Sequence, residues 1–153
     1  MADRRFTLDS NVLVYVVDGR AGAKHEVARR IIPAAARRDC WLTLQAVSEF
    51  YAAVSRKRIV PDALAAERAV DWLTAFRCVP VSEQAIRTAL PLAVAGRASY
   101  WDALLVATAA EAGCAVVLTE DMADGAILGG VRIHNPFTAA GELTDLTRQL
   151  LDI

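Results

Sequence analysis

The chain has 153 residues, 55% of them apolar, and a formal charge of −1. That length fits one domain able to bury roughly two-thirds of its unfolded surface without disulfide staples. The composition excludes a disordered chain, and the overall charge is too low to argue nucleic-acid binding by itself.

The balance hides an asymmetry. Residues 1–60 hold 11 Lys/Arg against 6 Asp/Glu, and residues 61–153 hold 6 against 12. Basic clusters at Arg29/Arg30, Arg37/Arg38 and Arg56-Lys57-Arg58 read either as phosphate contacts or as solvated helix faces. The most apolar window, 103–118, is interrupted by Glu111 and Gly113, short of the about 18 apolar residues a membrane span needs. The N-terminus lacks the apolar core of a signal peptide, so a cytoplasmic location is expected. Cys40, Cys78 and Cys114 are unpaired in spacing and read as small buried residues, and His25 and His134 read as structural.

In chain order, Phe6-Thr7-Leu8 predicts a strand ending at Asp9. The apolar run from Val12 to Val17 fits a short helix, although periodicity equally allows a strand there. Residues 24–38 predict a helix with Val27, Ile31 and Ile32 as its stripe and a kink or break at Pro33. A strand over 40–44 precedes a helix over 45–58 with Val47, Phe50, Tyr51 and Val54 on one face. Glu49 lies on the flank of that face with Gln45, Ala46, Ala52 and Ala53. Pro61 opens a helix to about residue 75, whose apolar side is read from Leu64, Val70 and Leu73. A strand over 78–81 is read with Pro80 marking either a sheet edge or the strand's end. Ser82 caps a helix to about 95, and Ser99 caps another to 112, with Asp102 completing a capping pattern. Residues 115–118 read as a buried parallel strand, with Thr119-Glu120-Asp121 at its end. Asp124-Gly125 and Gly129-Gly130 punctuate a loop before a last strand over 131–133, and residues 142–151 predict a terminal helix.

Alternating strands and helices predict an α/β fold with a mostly parallel sheet covered on both faces. Right-handed crossovers place the carboxyl ends of the strands on one edge. Asp9 and Asp121 then share that edge, and Glu49 and Asp102, early in their helices, begin near it. Four converging carboxylates repel unless protonated or bridged by a cation. Oxygen ligands without His or Cys suit a hard ion, Mg²⁺ or Mn²⁺, and Ser10, Asn11 and Thr119 are placed to orient ligands or water. Metal-assisted phosphodiester hydrolysis is the reaction class that follows.

The ordered set Leu8-Asp9-Ser10-Asn11, Ser48-Glu49-Phe50, Tyr100-Trp101-Asp102-Ala103-Leu104 and Thr119-Glu120-Asp121-Met122 resembles the PIN domain family, most of all the VapC-type toxins of bacterial toxin–antitoxin pairs. Gly130-Val131-Arg132-Ile133-His134-Asn135-Pro136-Phe137 is similar to that group's last strand. The resemblance covers about residues 6–137 of a single domain over 1–153, and 138–153 is read as a helical C-terminal extension. It implies a three-layer α/β/α fold with a sheet of 4–5 strands. It also implies Mg²⁺- or Mn²⁺-dependent cleavage of RNA by a metal-activated water. Asp9, Glu49, Asp102 and Asp121 match the family's acidic positions, with Asp124 and Glu120 as additional acids nearby. The implied partners are RNA, a VapB-like antitoxin and a second copy of the chain. Two other readings stand beside this one. A catalytically silent PIN-like module would bind a partner or RNA without cutting. A receiver-like regulator would need a late lysine, and no Lys follows Lys57.

Overall fold

The computed structural model describes residues 4–153. Strand β1 (Phe6–Leu8) leads into helix α1 (Ser10–Val17), a 3-10 turn (Gly19–Ala21) and helix α2 (Ala23–Ala36). Strand β2 (Trp41–Thr43) leads into α3 (Leu44–Arg56), and α4 (Asp62–Ala75) follows it. Then come β3 (Arg77–Val79), α5 (Glu83–Val94), α6 (Tyr100–Glu111), β4 (Val116–Leu118), β5 (Ile127–Leu128), β6 (Val131–His134) and α7 (Asp145–Leu151).

One sheet runs β1-β4-β6-β5, parallel except for the β5–β6 hairpin. Strands β2 and β3 form a parallel pair beside it. A single bridge from Phe6 to Cys40 and the Phe6 N–H to Asp39 carbonyl bond (3.1 Å) join the pair to β1. The hairpin turns at Gly129-Gly130, both with positive φ, the backbone that a two-residue turn of matching twist requires. The alternation of strand side chains separates two cores. Phe6, Leu8, Val116 and Leu118 face α1–α4 and α7, while Val117, Val131 and Ile133 pack with Leu105, Val106 and Ala109 of α6. Helix α5 covers α6 through Ala85 and Ala89. The fold is therefore the expected α/β/α sandwich, with four strands in the main sheet. Helix α6 is buried without interruption from Ala103 to Ala109. No helix among the described residues is long and apolar enough to cross a membrane.

Some local expectations hold and others are corrected. The run after Asp9 is the expected short helix and not a continued strand, because Asp9 caps it and its carboxylate accepts the Ser10 N–H. Helix α2 continues through Pro33 to Ala36. Pro33 and Arg29, whose carbonyl loses its usual partner, are both on the solvent side. In α4 the predicted stripe is outside: Leu64, Val70 and Leu73 are exposed, Val70 at 60%. The buried side is Ala65 and Trp72, because Trp72 meets Phe50 edge-on at 4.5 Å and fixes the helix's rotation. Tyr51 likewise faces outward from α3. Strand β3 ends at Val79, before Pro80, and it does occupy an edge. Helix α7 starts later than expected because Thr144 caps it and accepts the Thr147 N–H. Glu142 and Leu143 instead fold back on Thr138 and Phe137. Residues 138–153 are no loose appendage: Leu143, Leu150 and Leu151 belong to the larger core.

Phe50 is fully buried beneath Trp72. Phe50→Ala is expected to cost about 3–5 kcal/mol in chemical denaturation. A loss below 1 kcal/mol would show that the α3–α4 contact does not hold this layer.

Candidate functional site

Helices that follow a parallel strand begin at its carboxyl edge, and a helix that precedes one also begins there, because it runs antiparallel to it. Helices α1, α3 and α6 thus start on one edge of the sheet, where β4 also ends. This is why acids distant in sequence meet.

Asp9 is 4% exposed at the end of β1. Its backbone N–H donates to the Leu118 carbonyl at 2.9 Å, so the strand pairing itself sets its place beside β4. One carboxylate oxygen accepts the Ser10 N–H at 2.7 Å. The other accepts the Thr119 hydroxyl at 2.8 Å and the Asn11 amide at 3.3 Å. The Asn11 amide also donates to the Thr119 hydroxyl and to the Asp121 carboxylate, each at 3.0 Å. Asp9 and Asp121 are thus bridged by one NH₂ group. The Asp121 N–H donates to the Thr119 hydroxyl at 3.1 Å, which ties the loop back to β4.

Glu49 joins through its neighbours. It accepts the Ser10 hydroxyl at 3.2 Å on one oxygen and the Gln45 amide at 2.8 Å on the other. The same Gln45 nitrogen reaches the Trp101 carbonyl at 2.9 Å, which links α3 to the first turn of α6. Asp102 stands in that turn, with its N–H donating to the Ser99 hydroxyl at 3.2 Å. It shares a cavity of about 330 Å³ with Asp121.

The electrostatics show that the acids sense one another. Burial pushes the Asp9 carboxyl up to about 6, with Glu49 and Asp102 adding to the rise, while hydrogen bonds from Thr119 and Ser10 oppose it. Asp102 is raised chiefly by burial and further by Asp121, against a hydrogen bond with Ser99. The four predicted acids and Ser10, Asn11 and Thr119 therefore lie in one neighbourhood. Asp124 does not join them: its carboxylate accepts the Asn135 N–H at 2.9 Å and lies 3.1 Å from His134 Nδ1. His134 is structural as expected, with its other nitrogen 2.8 Å from the Thr144 hydroxyl. Glu120 has different partners from Asp121. It binds the Tyr15 hydroxyl and the Lys24 ammonium (2.6 Å), and Lys24 sits over the rings of Tyr15 and Phe137.

Sequence reasoning did not single out Gln45, Tyr15 or Lys24. For Gln45 the signal was present, since it precedes Glu49 by one helical turn. Tyr15 likewise follows Asn11 by one turn on α1. Lys24 carried no signal, because its partner is 96 positions away.

The family model of the PIN domain matches residues 6–123, which span all four acids. The chain belongs to the PIN domain family. No curated protein matches it. Solved structures similar to it include Mycobacterium tuberculosis VapC20, described as a sarcin–ricin loop cleaving toxin. That likeness has 17% identity and a TM-score of 0.61, and covers 76% of this chain and 89% of that one. VapBC2 from Rickettsia felis, bound to a DNA fragment of its promoter, is similar at 13% identity and a TM-score of 0.62, covering 86% and 98%. A toxin–antitoxin complex from Klebsiella pneumoniae is similar at 19% identity and a TM-score of 0.58, covering 82% and 93%. At these identities the likeness is one of fold. PIN domains as a family are nucleases, and this one carries the acids at the sheet edge described above.

The raised Asp9 carboxyl has a measurable consequence. Its folded-state value lies above the unfolded value near 3.9, so the folded chain holds that proton more tightly. Stability from this group is therefore full below about pH 4 and is lost as pH rises through about 6. In metal-free buffer, wild-type protein should lose on the order of 2 kcal/mol from this group between pH 4.5 and 7.5. Urea titrations of Asp9→Asn should show that increment missing. Identical pH slopes for the two proteins would contradict the burial argument.

Proposed function

We propose that this PIN domain is a Mg²⁺- or Mn²⁺-dependent endoribonuclease, the toxin of a toxin–antitoxin pair, that hydrolyses RNA phosphodiester bonds. The observation that carries the reading is the buried Asp9 carboxylate tied through Asn11 and Thr119 to Asp121, with Glu49 and Asp102 close enough to raise its proton affinity.

The donor set suits a hard cation, since it is all carboxylate and hydroxyl. Among the described residues, no three His, Cys, Asp or Glu side chains stand close enough together to cage an ion by themselves. Mg²⁺ keeps several waters and takes one or two carboxylates plus phosphate oxygens, so the acids would hold it partly through water rather than as a closed cage. Asp9, Asp102, Asp121 and Glu49 are the residues that would hold it. A bound ion lowers the pKa of water and offsets charge on the phosphate. The chain's own groups do the positioning. Thr119 and Asn11 fix the carboxylates of Asp9 and Asp121. Ser10 and Gln45 fix Glu49, leaving its remaining lone pairs for a water or an ion. Gln45 also locks the start of α6 and hence Asp102.

The partners follow the same reading. A VapB-like antitoxin is proposed because relatives of this fold are described as toxin–antitoxin complexes. A homodimer is proposed from exposed apolar residues on adjoining helices: Leu44 and Tyr51 of α3, Ile86 and Leu90 of α5, and Trp101 of α6, the last 61% exposed. Leu44 and Trp101 border one cleft with Val81 and Leu104. The same reading places the protein in the cytoplasm, where its RNA lies.

Asp9→Asn and Asp102→Asn should each lower divalent-dependent RNA cleavage by about a hundred-fold or more, since several kcal/mol of charge stabilisation is removed. Circular dichroism should show the fold unchanged. Full cleavage by the folded double variant would overturn the assignment of these acids, and no divalent-dependent cleavage by the wild type would end the nuclease reading. Calorimetric titration with Mn²⁺ supplies a second check, and no heat of binding to partner-free protein would favour the silent PIN-like module.

A further inference from the structure

The basic cluster Arg56-Lys57-Arg58 has one member with a definite place. A cavity of about 380 Å³ opens beside the acids. Its lining brings Ser10, Asn11 and Asp121 together with the cations Arg20 and Lys57, and Tyr15, Asp18 and Glu120 complete its polar wall. Lys57 is the C-terminal cap of α3, the helix that carries Glu49. Arg20 comes from the 3-10 turn directly after α1, the helix that begins at Asp9. The two cations thus stand at or just past the C-terminal ends of the helices whose N-terminal parts carry two of the acids.

The acids lining this cavity are already engaged. Glu120 is held by Lys24 at 2.6 Å and by the Tyr15 hydroxyl. Asp18 accepts the Arg20 N–H at 3.2 Å as the cap of its turn, and it lies 3.5 Å from the Arg20 guanidinium. Asp121 accepts the Asn11 amide. Lys57, by contrast, makes no ion pair among the described residues, and the Arg20 side chain is 75% exposed. The charge of Lys57, unpaired among the described residues, and that of Arg20, paired with Asp18 yet open to solvent, stand next to a row of carboxylates and suit an anionic ligand that is cleaved beside them.

We propose that this cavity is a subsite for an RNA backbone phosphate neighbouring the cleaved one, with Lys57 as its principal cation and Arg20 as the second. The inference rests on the ribonuclease reading and extends it to how substrate is held. The cavity shared by Asp102 and Asp121 has one cation among its lining residues, Arg97, against the two here, which would bias the path of the strand toward Lys57 and Arg20. Lys57 also sits at a helix C-terminus, where a cation is mildly stabilising for structural reasons alone. The test must separate that role from phosphate binding.

A fluorescein-labelled single-stranded oligoribonucleotide of mixed sequence, titrated in EDTA, reports binding without turnover. Each phosphate contact on a single strand contributes about 0.7 to the slope of log affinity against log salt. Lys57→Gln should lower the slope by about 0.7 and weaken binding about five-fold at 0.1 M salt. Arg20→Gln should act in the same direction, and Lys57→Arg should restore the slope. Arg87→Gln, which removes an outer-face charge paired with Glu83, is the control for bulk charge and should change little. In Mg²⁺ the Lys57 variant should raise KM with kcat nearly kept, the mark of binding lost equally from ground and transition states. An unchanged salt slope in folded Lys57→Gln, or an equal loss in Arg87→Gln, overturns the subsite. Wild type that cuts RNA while the Lys57 and Arg20 variants match it leaves the nuclease reading standing without the subsite. Wild type that binds through Lys57 but cuts nothing in Mg²⁺ or Mn²⁺ leaves the subsite standing and removes the nuclease.

Discussion

A single buried carboxylate sets the terms for this edge of the molecule. Asp9 is held at the end of β1 by a backbone bond to β4, so its depth is set by strand pairing rather than by its side chain. Removing an anion from water is costly unless donors or opposite charge replace the lost hydration. Three donors converge on it, one from its own helix backbone, one from Asn11 and one from Thr119. They satisfy the carboxylate without cancelling its charge, and Glu49 and Asp102 add to the excess. Every other feature of the edge can be understood as managing that charge. Asn11 shares one amide between two acids, and the helix starts at α1, α3 and α6 point their positive ends toward it.

Much of this was legible from sequence because it rests on local chemistry. Ser82, Ser99 and Asp9 are caps by residue type, and each caps its helix as expected. Val116, Val117 and Leu118 form an unbroken apolar run and make a strand buried on both faces. The edge position of Glu49 and Asp102 followed from alternation of strands and helices. The failures share a different cause. Leu64, Val70 and Leu73 look like a core stripe, yet Trp72 and small alanines seat α4, because one indole against Phe50 outweighs three aliphatics with nothing opposite them. Asp124 looks like a fifth acid, but the neighbouring strand offers it an N–H and an imidazole. Such outcomes depend on what lies across the contact, and a sequence pattern does not contain that.

The asymmetry of charge along the chain also acquires a spatial meaning. The basic first 60 residues and the acidic remainder do not segregate into separate faces at this edge. Arg20 and Lys57 from the first part border the same hollow as Glu120 and Asp121 from the second. The near-zero total charge is therefore a poor guide to the local field, which changes sign over the width of one cavity.

Helix α6 carries a consequence for how such a chain can drift over generations. It lies between α5 and the sheet with Ala103 to Ala109 all enclosed, and the alanines among them are what let it sit so close. A larger side chain at Ala103 or Ala107 has no outward direction to take. It would lift the helix from its bed and carry Asp102 with it. The alanines of α6 are therefore a clearance tolerance. A larger side chain on the exposed side of α5 or α4 meets only solvent, but along α6 a change in size is a change in where the acid stands.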